Sequence, residues 1–307
     1  MTSTALPLDV LHADFGDALQ EHVGLAPYTS ARIGGAADVL VTVKSADELA
    51  EAVTRLRAHA LEFVVLGGGS NVLVSDRGVR EVVILNRAKA VKFIAGDQPR
   101  VRAEAGATFS QLAHRCAAKA YSGIEWAAAV PGTVGGAVYG NAGAFGGDVM
   151  QSLLSAELLS EHGREAWPVE KFGFGYRTSV LKRGELKAVV LTAEFSLENA
   201  TKEAVSVKIA QFSAERKSAQ PPGASMGSMF KNPPGDHAGR LIEAAGLKGS
   251  RIGNAEISTL HGNFFINHGD TRAKDIRALI ELARKTVKEK SGVELELEIE
   301  FIGEWTV

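Results

Sequence analysis

Two glycine-dense segments constrain this chain more than any other feature. The first is LGGGSNV, residues 66–72. The second is VPGTVGGAVYGNAGAFGG, residues 130–147, in which seven of 18 positions are glycine. Glycine loses more backbone entropy on folding than other residues and offers no side chain to pack. Such segments are stable only where backbone must come close to something. The chain has 33 glycines but only 9 prolines in 307 residues, and ordinary glycine usage is ~7%. The Pro, Ser and Gln that accompany glycine in flexible linkers are missing, so these glycines belong to structured loops.

A chain this long predicts two or three compact units. DVLVTVK (38–44), EFVVLG (62–67) and EVVIL (81–85) read as strands. Between the first two lies a helix. Ser45 and Glu48 have capping-box spacing, and Leu49, Val53 and Leu56 form its apolar face. Residues 101–104 predict a short strand and 108–120 a helix that buries Cys116 as a small hydrophobe. Residues 123–149 lack clear periodicity, 152–198 read as strands broken by turns, and 201–217 as a helix. After the break AQPPGAS comes a helix over 236–246, capped by Asp236 and stopped by Gly246. A strand follows at 262–267, then a long helix over 271–290. Residues 293–302 alternate strictly and predict a strand. Glu294, Glu296, Glu298 and Glu300 lie on one face, and Val293, Leu295, Leu297, Ile299 and Phe301 on the other.

The formal net charge is −2 and no long basic run occurs, which argues against nucleic acid as a main partner. The first residues carry no basic segment followed by an apolar core, and no stretch of membrane-spanning length is apolar. The single cysteine, Cys116, excludes an internal disulfide framework and a CxxC site. The histidines, including His237, His261 and His268, lack metal-ligand spacing, so no metal is expected. A cytoplasmic, globular protein that binds a small molecule is the expectation.

Within LGGGSNV, Gly67, Gly68 and Gly69 free the backbone N–H groups to face an anion, as a pyrophosphate nest requires. A tight turn is the alternative, and Ser70 and Asn71 favour binding. No Gly-Lys-Ser/Thr follows, so this is not a Walker A loop. Val72 occupies the third glycine position of the dinucleotide fingerprint, so that motif fails too. The apolar character of 130–147 suggests a flat or elongated ligand lying on its backbone. In FGYRTSVLK (174–182), Arg177 follows an aromatic residue; a surface ion pair is its ordinary reading. In SMGSMFKNP (225–233), Ser228 lies beside Gly227 without the GxSxG elbow of a hydrolase. Four alternating glutamates ordinarily make a solvated face. One of them in a pocket would be an acid, a base or an orienter, and spacing does not choose among them.

Seven segments in this order resemble the UDP-N-acetylenolpyruvoylglucosamine reductase (MurB) family. They are TSARIGGAAD (29–38), LGGGSNVLVSDRG (66–78), GIEWAAAVPGTVGGAVYGNAGAFGG (123–147), YRTSVLK (176–182), GSMFKNPPGDHAGRLIEAAGLKG (227–249), HGNFFIN (261–267) and VELELEIEFIGE (293–304). The resemblance implies a mixed α/β and α+β fold. A two-subdomain FAD-binding region of the vanillyl-alcohol-oxidase (PCMH) type would precede a C-terminal α/β substrate domain. The implied boundaries are an N-terminal extension at 1–20, subdomains at about 21–88 and 89–200, and a substrate domain at 201–307.

It also implies noncovalent FAD, NADPH as hydride donor, and reduction of UDP-N-acetylglucosamine enolpyruvate to UDP-N-acetylmuramate for peptidoglycan. Gly67, Gly68, Gly69, Ser70 and Asn71 would hold the pyrophosphate. Pro131, Gly132, Thr133, Gly135, Gly136, Asn141 and Gly143 would line the flavin. Ser228 matches the family's proton donor. Arg177 and Glu298 match the residues that stabilise the intermediate and orient the substrate carboxylate. Lys231 is a reasonable helper for Ser228. Asn232 and His261 fall at substrate contacts, and Lys217 is the nearest lysine to a phosphate-contact position that here holds Ala219. Other departures are Leu297 where a proline is common and Phe145 where a tyrosine is usual. The short turn after Lys182 matches the subclass without an inserted tyrosine loop. Another FAD-dependent oxidoreductase of the same cofactor fold is the alternative. A nucleotide-binding module without catalysis has no evident need for Ser228, Arg177 and Glu298 together.

Overall fold

The structure is a computed structural model and describes residues 6–305. The first subdomain is a four-stranded sheet in the order Leu19–Gly24, Ala36–Val43, Val79–Asn86, Phe63–Leu66. Its first pair is antiparallel and the others are parallel. Helix Ala46–Ala58 makes the crossover and buries Leu49, Val53 and Leu56, as the sequence predicts. Ser45 Oγ accepts from Glu48 N at 3.1 Å. The Glu48 carboxylate reaches past the cap to Lys44 N at 2.7 Å, so the expected reciprocal box is displaced by one residue. Helix Leu8–Phe15 sets Leu11 into the same core, beside Leu19. Residues 8–20 are therefore part of this subdomain rather than an extension to it; residues 1–5 of that expected segment lie outside the described residues.

The second subdomain is a fully antiparallel five-stranded sheet. Its order is Gly163–Pro168, Leu153–Ser160, Val189–Ser196, Arg100–Glu104, Val91–Ile94. Helix Phe109–Ala118 packs Phe109, Leu112 and Cys116 into its core. Burial pushes the Cys116 thiol up to about 12, which leaves it a small hydrophobe rather than a nucleophile. Helix Lys202–Ala219 adds Val205 and Ile209 to this same core. The packing boundary therefore falls after Ala219, not at residue 200.

The C-terminal part joins a small sheet, Arg251–Ile252, Ala255–Ile257 and Phe265–Asn267, to helices Ala238–Ala244 and Ala273–Ser291. Helix Ala238–Ala244 starts after His237, one residue past the expected cap Asp236, and Gly246 follows it with φ +76°. The long helix buries Ile276, Leu279, Ile280, Ala283 and Val287, the stripe read from the sequence.

The parts are pinned at several points. The Asp76 carboxylate accepts from Ala273 N at 2.8 Å and Lys274 N at 3.0 Å, an acidic cap on the long helix. Strand Glu300–Ile302 pairs in parallel with Val72–Val74, directly after the first glycine segment. The expected strand over 293–302 is thus confined to its last three residues. Residues before it follow the 228–231 segment instead, through a bridge between Leu297 and Phe230. Among the described residues no helix is long and apolar enough to cross a membrane.

Candidate active site

A cleft of about 770 Å³ runs between the three parts. Gly67–Asn71 forms one wall and the Gly/Ala-rich segment another. The second is a short helix, Val134–Gly140, rather than an irregular stretch. Thr133 is its N-cap, and Val134, Ala137 and Val138 are buried. Three of its seven residues are glycine, so tertiary packing rather than periodicity makes it helical.

The two glycine segments touch. A Cβ on Gly68 would meet Gly132 Cα at 2.9 Å, and one on Gly67 would meet Thr133 Oγ1 at 2.3 Å. Gly69 has φ +58°, and its Cβ would lie 2.2 Å from Tyr28 O. Among the described residues, the N–H groups of Gly68, Gly69, Ser70 and Asn71 donate to no protein acceptor. Unpaired donors on a loop that opens with three glycines are suited to an anion.

Arg177, Ser228 and Glu298 all line this cleft. Arg177 sits in a two-residue turn closed by mutual bonds between Gly175 and Thr178. Its φ is +57°, a position that normally falls to glycine, and such strain costs on the order of 1 kcal/mol. The turn aims the guanidinium. Nε donates to Glu298 Oε1 at 2.9 Å and Nη2 to Gly143 O at 2.7 Å. Nη1 has no acceptor among the described residues. A Cβ on Gly143 would lie 3.2 Å from that Nη1, so a side chain there would crowd the guanidinium.

Glu298 is held through its backbone. Its N–H donates to Met229 O at 3.0 Å, and its carbonyl accepts from Asn71 Nδ2 at 3.0 Å and Lys182 Nζ at 3.1 Å. Its side chain is only 17% exposed. Burial raises its pKa, against the opposing pull of Arg177, Lys182 and Lys231. Asn263, which sequence reading missed, fixes the Ser228 segment. Its Oδ1 accepts from Phe230 N at 2.9 Å and its Nδ2 donates to Phe230 O at 2.7 Å. Ser228 itself bridges to Phe264, and its hydroxyl has no protein partner among the described residues. Lys182 also faces Glu300 at 3.5 Å, and Tyr139 donates to Glu300 at 3.3 Å.

Gly67–Asn71, Pro131, Gly132, Thr133, Gly135, Gly136 and Gly143 line the cleft, and Asn141 does not. Asn141 caps the short helix in a left-handed conformation, donates to Gly175 O and accepts from Met150 N. Lys217 is exposed outside the cleft, whereas Arg216 and Gln220 line it. Asn232 accepts from Ala238 N at 3.1 Å, at the start of a helix. His261 is half-buried, packs edge-on against Phe264, and accepts from Asn263 N at 3.2 Å. Burial lowers its pKa, which favours the neutral ring. Neither Asn232 nor His261 lines the cleft. Lys231 is tied to Glu296 rather than aimed at Ser228.

Residues 37–167 match the FAD binding domain family. Residues 218–302 match the family described as UDP-N-acetylenolpyruvoylglucosamine reductase, C-terminal domain. The UDP-N-acetylenolpyruvoylglucosamine reductase of Chloroflexus aggregans is 43% identical over 289 residues, covering 92% of this chain and 97% of that one. The Bacillus subtilis enzyme is 41% identical over 281 residues, covering 91% and 92%. The crystal structure of the Thermus caldophilus enzyme aligns with a TM-score of 0.76 at 37% identity, over 91% of this chain and 97% of that one. A two-subdomain FAD-binding region whose cleft joins a glycine cradle to an Arg–Glu pair defines an FAD-dependent oxidoreductase. Within that class, the chain belongs to the UDP-N-acetylenolpyruvoylglucosamine reductase family. The residues present fit FAD: free N–H donors suit its diphosphate, and the glycine walls leave room for a flat ring.

Proposed function

We propose that the protein reduces UDP-N-acetylglucosamine enolpyruvate to UDP-N-acetylmuramate, with NADPH as hydride donor, as a cytoplasmic step of peptidoglycan precursor synthesis. The observation that carries this reading is the meeting in one cleft of the glycine cradle, Arg177, Glu298 and Ser228, whose hydroxyl has no protein partner among the described residues. Gly68–Asn71 would hold the FAD diphosphate, and Gly132, Gly135, Gly136 and Gly143 would lie along the ring. When bound, FAD supplies a hydride for the terminal methylene carbon of the enolpyruvyl group.

Hydride addition leaves negative charge on the adjacent carbon and its carboxylate. Arg177 is suited to stabilise that charge. Glu298 and Gly143 fix two of its nitrogens, which leaves Nη1 for the ligand. Ser228 then delivers a proton to the charged carbon. A serine hydroxyl is a weak acid, so it needs a positive field, and Arg177 and Lys182 on the cleft wall supply one. Glu298 aligns Arg177 through its carboxylate. The C-terminal part, expected as the substrate domain over 201–307, carries Ser228 and Glu298.

Purified protein should be yellow. Without oxygen, NADPH should bleach it and the enolpyruvyl sugar should restore the colour. A protein that takes up no FAD contradicts the reading.

A further inference from the structure

Helix Lys202–Ala219 turns one stripe toward the second subdomain. Val205 and Ile209 are buried there, and Phe212 stacks on Phe145 at 4.9 Å between centroids. Arg216 comes next at the same helical spacing. The periodicity therefore brings Arg216 to the cleft wall and turns Lys217 outward. Arg216 Nη1 donates to Ala129 O. Its Nε and Nη2 have no acceptor among the described residues.

Among the described residues, three basic side chains line the cleft. Arg177 is paired with Glu298 and Lys182 with Glu300. Arg216 has no carboxylate partner among the described residues. Burial alone acts on its guanidinium and pulls its pKa down. A half-buried cation without a counter-ion is unfavourable unless a ligand brings the anion. Ala129 leads into Pro131, whose carbonyl accepts from Ser70 Oγ at 3.4 Å. Arg216 and the glycine loop thus grip the two ends of one short segment.

We propose that Arg216 is a diphosphate-binding residue of the cleft, its free donors adding a charged fork to the N–H groups of Gly68–Asn71. A planar guanidinium suits phosphate oxygens better than a lysine. The inference rests on the function proposed above. Two ligands of that function carry a diphosphate, FAD and the nucleotide sugar.

Three variants test it: Arg216→Gln, Arg216→Lys, and Lys202→Gln as a charge control in the first turn of the same helix. FAD affinity of the apoprotein is read by quenching of flavin fluorescence. UDP affinity of the FAD-loaded protein is read from its flavin spectrum. Both are measured at low and high salt, with the melting temperature alongside. Arg216→Gln is expected to weaken one ligand by about tenfold or more, with part of the loss recovered in Arg216→Lys and the effect shrinking in salt. Loss for FAD assigns the cofactor's diphosphate, and loss for UDP assigns the substrate's. Unchanged affinity for both overturns the inference. So does an equal loss in both Arg216 variants that tracks a lower melting temperature, because that marks a tether to Ala129 only. Failure of the unmutated protein to bind FAD instead overturns the proposed function.

Discussion

Arg177 and Glu298 are 121 positions apart, yet Arg177 Nε donates to Glu298 Oε1 at 2.9 Å. One partner sits on a strained turn of the second subdomain. The other sits on a segment that has already crossed the C-terminal part. Arg177→Lys keeps the charge but cannot hold Glu298, Gly143 O and a ligand at once. We expect the second half-reaction to slow by about 10²-fold, with flavin reduction by NADPH little changed. Single-turnover rates of the two halves check this.

Glu298 gives a pH signature. Burial raises its carboxyl pKa in the folded protein above the ordinary 4.5, so the ionised form is disfavoured there. Its contribution to stability is fully present below the ordinary value and is lost as pH rises through the folded value. Glu298→Gln cannot ionise. Its stability should match the unmutated protein below the ordinary carboxylate value and exceed it once the pH has risen through the folded value, while the second half-reaction falls. Denaturant titrations across that range measure it, and parallel curves would contradict the burial argument.

The cradle glycines should differ in their sensitivity. Gly69→Ala puts a Cβ against the fixed Tyr28 carbonyl at a positive φ. Gly67→Ala meets the Thr133 side chain, Oγ1 at 2.3 Å and Cγ2 at 3.2 Å, rather than fixed backbone. The first should cost about 1–3 kcal/mol more than the second and lose more bound flavin. Melting curves of the apoproteins and flavin-to-protein ratios decide it.

Much of this is legible in the amino-acid sequence. The capped helix Ala46–Ala58 and the long helix Ala273–Ser291 declare themselves because their apolar residues repeat at helical spacing. Both glycine segments reach the cleft because the absence of Cβ atoms is itself the signal. The alternation of 293–302 misled, because Glu298 is buried by Arg177 and by the chain at Met229, contacts that no local pattern encodes. Helix Val134–Gly140 was invisible for a similar reason, since its three glycines carry no periodic signal. Arg216 was within reach: extending the Val205, Ile209, Phe212 stripe by one turn selects it over Lys217. Asn263 was beyond reach, because its partner Phe230 is 33 positions away.

Ser228 lines the cleft, and its hydroxyl has no protein partner among the described residues. Anaerobic stopped-flow of Ser228→Ala tests its role as proton donor most directly, with each half-reaction followed by flavin absorbance. NADPH is expected to bleach the flavin at a nearly unchanged rate, while reoxidation by the enolpyruvyl sugar slows by about 10²–10⁴-fold. An equal loss in both halves, or an unimpaired second half, would contradict that role.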